Sequence, residues 1–572
     1  MSAGFAKRPL LYFKQRSGVI GPRLDWRRAS TQVGNRKRPS SLLVASGGIL
    51  VALGLSPFYT GRAHADSETH LSSKSNGTSL GALIRSYTVY TICSIPMLVD
   101  HSPRLLELAS IPALKWITEA FVRITFFDQF VGGDTAQKAI PLLRSLRAEN
   151  KGALFAYSVE VEEADATASV AESHAKQKRP SPHNRMVDEI IRGIDVAADF
   201  EDSIAHNLAR SRRTWVAIKI TALLRDASAL IRLSSYLLDT RPTTSSPIPF
   251  PGTPRATDLD ILYKPVRRTK PLNAEDIALL RDLHADLVRI CTRAQERGVT
   301  IIIDAEYSWY QPALDAFTLS LTRQFNKLPP RGQEDTQKVQ PLVYGTYQAY
   351  LRRTPSHLAA ALADAKVDNY ALGVKLVRGA YHPHELSAHA APDKYCSISS
   401  DAEPPVWTSK SETDMCYNTC VKMLVNSIKA DVDSRKGRNA NSLPSVGMLF
   451  GTHNWDSCML ILDELVKYGL ASKGPNEEDL VVLGDGVAER LTIGQLYGMS
   501  DDLTNFLVMK MRSVTPVILK YVPYGALSEV MPYLSRRAIE NRSVLGDGIA
   551  AKERRRAGAE IRKRLFGSWI GA

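Results

Sequence analysis

VTIIIDAE (299–306), PLVYGTYQ (341–348) and LGVKLVRGAY (372–381) are the stretches whose reading decides the fold. Each is a brief apolar run, too short for a helix, that ends on polar or charged residues. A run apolar on both faces suits a strand of a parallel sheet covered by helices on either side. Working outward, FAYSVEV (155–161), VAIKITAL (216–223), VGMLFGTHN (446–454) and VILKYVPYG (517–525) read the same way. One further strand is ambiguous between DLVVLGDG (479–486) and RLTIGQLYG (490–498). Amphipathic helical patterns lie between the runs, as in LLRDLHADLVRICTRAQERG (279–298) and SCMLILDELVKYGL (457–470). Eight strands alternating with helices predict parallel βα units, closed into a barrel or laid open as a doubly wound sheet. No GxGxxG follows the first strand, so a dinucleotide Rossmann fingerprint is missing.

The flanks read differently. The chain has 572 residues, enough for a barrel and additional segments. Its formal charge of +14 is concentrated at the ends: residues 1–60 hold ten Lys or Arg and a single acid, Asp25. The stretch from Lys552 to Arg564 adds Arg554, Arg555, Arg556, Arg562 and Lys563. Nucleic-acid binding needs a basic folded face with interleaved aromatics, and this distribution argues against it. An Arg- and Ser-rich start almost without acid has the composition of a mitochondrial transit peptide. The run LLVASGGILVALGL (42–55) that follows is short of the ~20 residues that span a bilayer. Ala63-His64-Ala65 could mimic a secretory cleavage site, but the apolar run begins too late for a secretory signal. The expected organisation is a targeting segment (1–65), a helical arm (66–150), a catalytic barrel (151–548) and a basic amphipathic tail (549–572). Stretches 163–184, 238–258 and 386–412 read as loops or insertions.

Polar residues stand where the strands end: Lys219, Asp304, Lys375, Arg378, His453, Asn454 and Tyr521. One such residue is ordinarily a solvated or paired structural group. Several converging on one barrel mouth suggest more, because each buried charge needs a partner. In PYLSRRAIEN (532–541), Tyr533, Arg536, Arg537 and Glu540 share one helix face, with Pro532 suited to the first turn. The pattern fits a surface salt-bridge ladder. That is the default for such a pattern; against it, the pair follows directly on the last strand, so the helix can lie over the mouth as a carboxylate clamp, with Glu540 orienting one guanidinium. His382, His384 and Glu385 lack a further ligand and a helical presentation, so no metal site is expected. The six cysteines form no CxxC pair, and Cys416 and Cys420, four apart on a helix, read as packing.

The ordered set KLVRGAY, IDAE, GTHN, QLYGM and KYVPYG followed by YLSRRAIENR resembles the proline dehydrogenase family over roughly residues 150–548, and more weakly from about 80. The resemblance implies a distorted (βα)8 TIM-type barrel with an N-terminal helical arm and FAD lying at the strand ends. It implies that Arg536 and Arg537 bind the carboxylate of L-proline. Tyr533 and Tyr521 would wall the pocket, with Leu376 and Leu496 packing against the substrate and Lys219 and Asp304 beside it. Lys375 would approach the reactive nitrogen of the flavin. Gln348, Arg378, Gly379, Thr413, Thr452, His453 and Asn454 would hold the flavin and its phosphates. Bacterial members often carry Arg and Lys where this chain has Lys375 and Arg378, and compact members lack a counterpart of 386–412 and 479–489.

The chemistry implied is hydride transfer from C5 of proline to the flavin, giving 1-pyrroline-5-carboxylate, with electrons passing to a membrane quinone. The cofactor carries the electronic step while the protein positions and tunes. A cationic mouth would favour the neutral amine, so activity should rise with pH. The basic C-terminal segment could lie on the matrix side of the inner mitochondrial membrane, with Phe566 and Trp569 inserted, or form a disordered tail. Two rival activities remain. A 4-hydroxyproline dehydrogenase of the same family would need a smaller residue at Tyr521. A Schiff-base barrel aldolase would use Lys219 as nucleophile.

Overall fold

In a computed structural model the described residues are 79–95, 112–158, 182–204, 212–241, 252–264, 270–329, 339–391, 397–399, 402–434, 444–474, 479–542 and 549–566. The targeting segment 1–65, most of the loop 163–184, residues 242–251 of the loop 238–258, and Trp569 lie outside them.

The strands in chain order are β1 (Gly152–Tyr157), β2 (Thr214–Ile218), β3 (Ile301–Ile303), β4 (Val343–Gln348), β5 (Leu372–Val377), β6 (Val446–Gly451), β7 (Ala471–Lys473), β8 (Val481–Leu483), β9 (Leu491–Leu496), β10 (Met511–Arg512) and β11 (Ile518–Tyr524). Eight of them close a parallel barrel in the order β1, β2, β3, β4, β5, β6, β9, β11 and back to β1. Closure settles the choice left between barrel and open sheet. The ambiguous strand resolves to β9, within 490–498. DLVVLGDG instead supplies β8, which pairs with β7 and β10 in a small separate sheet. The first strand begins at Gly152, three residues before the expected run, where Gly and Ala give little β signal.

Alternation along the strands separates two apolar regions. Outward residues such as Leu372, Val374 and Leu376 of β5 pack under the helices. Inward residues Leu154, Trp215, Ala217, Ile302, Tyr344, Leu449 and Leu519 fill the lumen. Trp215 and Tyr344 rings lie 5.2 Å apart there. Glycine at 447 makes room for Tyr344, since a Cβ at that position would sit 2.2 Å from the tyrosine hydroxyl. The floor is therefore plugged by side chains, which leaves the C-terminal strand ends as the open face.

Helix signals in the sequence are met by local chemistry. Helix Ala274–Arg297 starts on a capping box between Asn273 and Asp276 and stops at Gly298 in the left-handed region. It buries Leu280, Leu283, Leu287, Ile290 and Ala294 against the barrel. Outside the barrel, the arm helix (Leu80–Cys93) packs against the C-terminal helix (Ile549–Phe566), with Ala550, Glu553 and Ala557 buried. The basic segment is thus a docked helix over 549–566, neither a disordered tail nor a helix with only a membrane to cover its inner face. Its small-residue face permits that close approach: a Cβ on Gly558 would stand 3.1 Å from the Tyr87 ring.

Candidate active site

Inward parity continues past the lumen into the polar strand ends. On β11, Leu519 is followed two residues later by Tyr521; after β3, Ile302 by Asp304; on β5, Gly373 by Lys375. The register pairs Thr346 with Lys375 and Leu496 with Tyr521, so these inward positions face one space. Asp304 is the hub. Lys375 Nζ donates to its Oδ1 at 2.5 Å and the Tyr521 hydroxyl donates to its Oδ2 at 3.0 Å. Lys375 also stands 5.1 Å over the Tyr521 ring. Both ions of this pair are buried, so each depends on the other to offset its lost hydration. Burial, and then the Asp304 carboxylate, push the Tyr521 phenol well above its ordinary pKa; Tyr533 and Arg536 also lie within electrostatic reach.

The last barrel strand leads directly into the mouth helix (Leu527–Arg542). Pro532 lies inside this helix, where its first turn was expected at that proline; the helix begins five residues earlier. Tyr533 is buried, and Arg537 is buried with its guanidinium 4.9 Å over the Tyr533 ring and Nη2 on Glu540 at 2.6 Å. The buried Arg537 Nε has no hydrogen-bond partner among the described residues. Arg536 Nη1 donates to the Tyr381 hydroxyl at 2.8 Å, with its guanidinium 5.3 Å over that ring. Tyr381 in turn packs 4.2 Å from Tyr307. Neither tyrosine was assigned a role from sequence, although Tyr381 closes the quoted GAY stretch; an aromatic platform built from separate strand exits leaves no local pattern.

Arg378, just past β5, is a bracket between strands and helices. Its Nε reaches Asp414 at 2.6 Å, Nη1 Thr452 Oγ1 at 2.6 Å and Nη2 Ser457 Oγ at 2.8 Å, and it lies 4.3 Å over Tyr417. Gly379 follows at φ +122, where a Cβ would strike the Tyr350 ring at 2.5 Å. Gln348 Nε2 donates to the Glu306 carbonyl at 2.8 Å. His453 Nδ1 meets Ser500 Oγ at 2.8 Å, and its Nε2 accepts from the Leu496 N–H at 3.3 Å. Desolvation, then the Lys520 and Arg537 cations, depress the His453 pKa to about 3, so the ring is neutral. Asn454 caps helix Trp455–Lys467 by accepting from Ser457 N at 2.9 Å, and Thr413 donates to the Ser409 carbonyl within its own helix at 3.3 Å.

Lys219 follows β2 at an inward-parity position, close enough to Glu306 to draw on its carboxylate. Glu306 is buried and accepts from both the backbone and hydroxyl of Thr221. Leu496 is half-buried and packs against the apolar cluster that contains Tyr533 and Met499. Leu376 is a correction. Expected in the substrate pocket, it sits on the opposite face of β5 from Lys375, buried among Tyr417, Val421 and other helix-layer residues. Sequence neighbours on a strand point to opposite sides. In the YHPHE stretch, Glu385 is buried and accepts from Ser308 and Tyr350, while His382 meets the Trp407 carbonyl at 2.7 Å.

Comparison with known proteins assigns the family. The proline dehydrogenase family profile matches residues 157–547. The chain is 29% identical to a relative from Arabidopsis thaliana named proline dehydrogenase 1, mitochondrial, covering 85% of this chain and 83% of that one. A Dictyostelium discoideum relative of the same name is 27% identical, over 85% and 73% of the two chains. A Bos taurus relative named hydroxyproline dehydrogenase is also 27% identical, over 86% and 91%. The residues that meet at this barrel mouth lie within the matched span, and the chain belongs to the proline dehydrogenase family.

Proposed function

We propose that this chain is a mitochondrial enzyme that binds FAD at the strand ends and oxidises L-proline to 1-pyrroline-5-carboxylate. The observation that carries the reading is the set of contacts at the mouth: Arg537 lies over Tyr533, Arg536 is within electrostatic reach of Tyr521, and Tyr521 shares Asp304 with Lys375. The donor set at the exits of β4, β5 and β6 suits an anionic flavin dinucleotide. It offers a guanidinium (Arg378), an ammonium (Lys375), an amide (Gln348), an imidazole (His453) and the hydroxyls of Thr452 and Thr413. Gly379 and the helix capped by Asn454 add backbone donors of the kind that hold phosphates.

FAD, when bound, supplies the acceptor for the hydride that leaves C5 of proline. The remaining work belongs to the chain. Arg536 and Arg537 grip the carboxylate, with Glu540 holding Arg537 at its angle, and so fix one end of a rigid ring. Tyr533, Tyr521 and Leu496 enclose the ring, and Lys219 lends a further positive charge. That cationic surround disfavours the substrate ammonium, so the amine reacts as the neutral species. Lys375, anchored by Asp304, keeps a positive charge beside the acceptor, where negative charge collects. Tyr521 occupies the space that a ring hydroxyl would need, which favours proline over 4-hydroxyproline.

We place the segments as targeting sequence (1–65), arm (66–150), barrel (151–548) and basic amphipathic C-terminal segment (549–572), on the matrix side of the inner membrane with quinone as the electron acceptor. Among the described residues no helix is long and apolar enough to cross a membrane. Support for surface attachment comes from Leu565 and Phe566, exposed beside Arg562, Lys563 and Arg564. The absorbance spectrum of purified protein tests the central reading. A flavin band that bleaches on anaerobic addition of L-proline is expected; a folded, colourless preparation that takes up no added FAD would overturn it.

A further inference from the structure

We propose that Lys520 is a positioning residue for the reaction: from the barrel wall it clamps the turn Leu496–Ser500, and through that turn it holds Leu496 and the His453 ring at the mouth. Lys520 precedes Tyr521 on β11, so its side chain leaves the strand on the opposite face. It is 2% exposed. Its Nζ donates to the Met499 carbonyl at 2.8 Å and the Leu496 carbonyl at 3.4 Å, and pairs with Asp501 at 2.8 Å. Those three partners engage all three ammonium donors. The same turn is gripped from its other side. Tyr90 of the arm helix and Gln129 both donate to the Gly498 carbonyl, at 2.7 and 2.9 Å.

The turn has reason to need holding. Gly498 sits at φ +74, and Ser500, which is not glycine, at φ +50. A Cβ at 498 would stand 1.9 Å from the Gln129 carbonyl oxygen. Left-handed backbone at a non-glycine residue persists where its surroundings over-determine it. What the turn carries lies at the mouth: the Leu496 N–H and the Ser500 hydroxyl are the two partners of the His453 imidazole. Beyond Asp501, its neighbour Asp502 pairs with Arg556 of the C-terminal helix at 2.7 Å. The arm and the C-terminal helix thereby reach the mouth through one turn. Burying an ammonium is costly, and an apolar side chain could fill the same space; what only the ammonium provides is this set of three directed bonds.

The inference rests on the reading above, in which Leu496 and His453 border substrate and flavin. Its test compares Lys520→Met, Lys520→Arg, Tyr90→Phe and Arg536→Met in the full-length, FAD-loaded protein by steady-state oxidation of L-proline, with flavin per chain measured alongside. Lys520→Met is expected to raise KM for proline about tenfold, more than it lowers kcat, since displacements near 1 Å at a site cost up to about a hundredfold. Lys520→Arg, which keeps charge and donors, should recover most of that loss. Tyr90→Phe, which removes one of two donors to Gly498 and leaves the barrel wall intact, should raise KM about threefold. Unchanged KM in Lys520→Met at full flavin loading overturns the proposal, as does Lys520→Arg performing no better than Lys520→Met. If Lys520→Met does not fold, Tyr90→Phe decides alone, and an unaltered KM there overturns it. Full activity in Arg536→Met would instead bring down the pocket reading. An inactive Arg536→Met beside unaffected Lys520 and Tyr90 variants removes only the clamp.

Discussion

At the floor of the barrel Ile302, Gly373 and Leu519 face inward among Trp215 and Tyr344; two residues further along the same runs of chain the inward positions are Asp304, just past β3, and Lys375 and Tyr521 on their strands. Backbone geometry is the same at both levels, and so is enclosure by neighbouring strands. What changes is the currency of interaction. The floor is held by area removed from water and by rings in contact, terms that are non-directional and tolerate modest repacking. The mouth is held by a few directed bonds around Asp304, each of which leaves a buried charge stranded if its partner is lost. One level should therefore fail as stability and the other as catalysis.

Arg537→Met should give the largest effect. Losing one partner of a buried, hydrogen-bonded charge pair at a binding contact costs roughly 2–5 kcal/mol, or about 30-fold to several thousandfold in kcat/KM for proline. Flavin content and melting temperature should change little, and retained turnover would break the distinction between the levels. Trp215→Ala, at the floor, should cost about 3–5 kcal/mol of unfolding free energy in denaturant titrations. The fraction that folds should keep its KM for proline. A raised KM would mean that the plug shapes the mouth as well as supporting it.

How much of this could be read in the sequence follows the same division. The strands announced themselves because both their faces are apolar, and Lys219, Asp304, Lys375 and Tyr521 stood out as polar residues ending such runs. Leu376, which the family resemblance puts in the pocket, follows Lys375 on the strand, and alternation turns it toward the helices. Lys520 passed unnoticed inside VILKYVPYG because its partners, Leu496, Met499 and Asp501, lie on another strand exit. Tyr307 and Tyr381 likewise meet only in three dimensions. In the C-terminal segment the arginines dominated the composition and concealed the stripe Ala550, Glu553, Ala557 that docks on the arm. Contacts set by periodicity were legible; contacts made across strand exits were not.

Tyr521→Ser sharpens the comparison at an intermediate scale. It removes both the ring that walls the proposed pocket and the hydroxyl on Asp304. Proline kcat/KM should fall about tenfold to a hundredfold, the range for losing a bond to a charged group together with packing. Turnover of 4-hydroxyproline should rise relative to proline, and an unchanged preference between the two substrates would free Tyr521 from any role in selection.

The smallest effect expected is a shift of zero. Burial and Asp304 keep the Tyr521 phenol protonated well past its ordinary range, and desolvation with Lys520 and Arg537 holds His453 neutral down to about pH 3. Neither group changes charge between roughly pH 6 and 9, so neither imposes an inflection there. The rise of kcat/KM with pH then belongs to the substrate ammonium giving up its proton, about tenfold per pH unit below the amine pKa. Tyr521→Phe should lower the whole profile through loss of one bond to Asp304 without moving it along the pH axis. A profile displaced by half a unit or more in that variant would assign the titration to the tyrosine. It would also mean that the mouth is wetter than its buried Asp304–Lys375 pair allows.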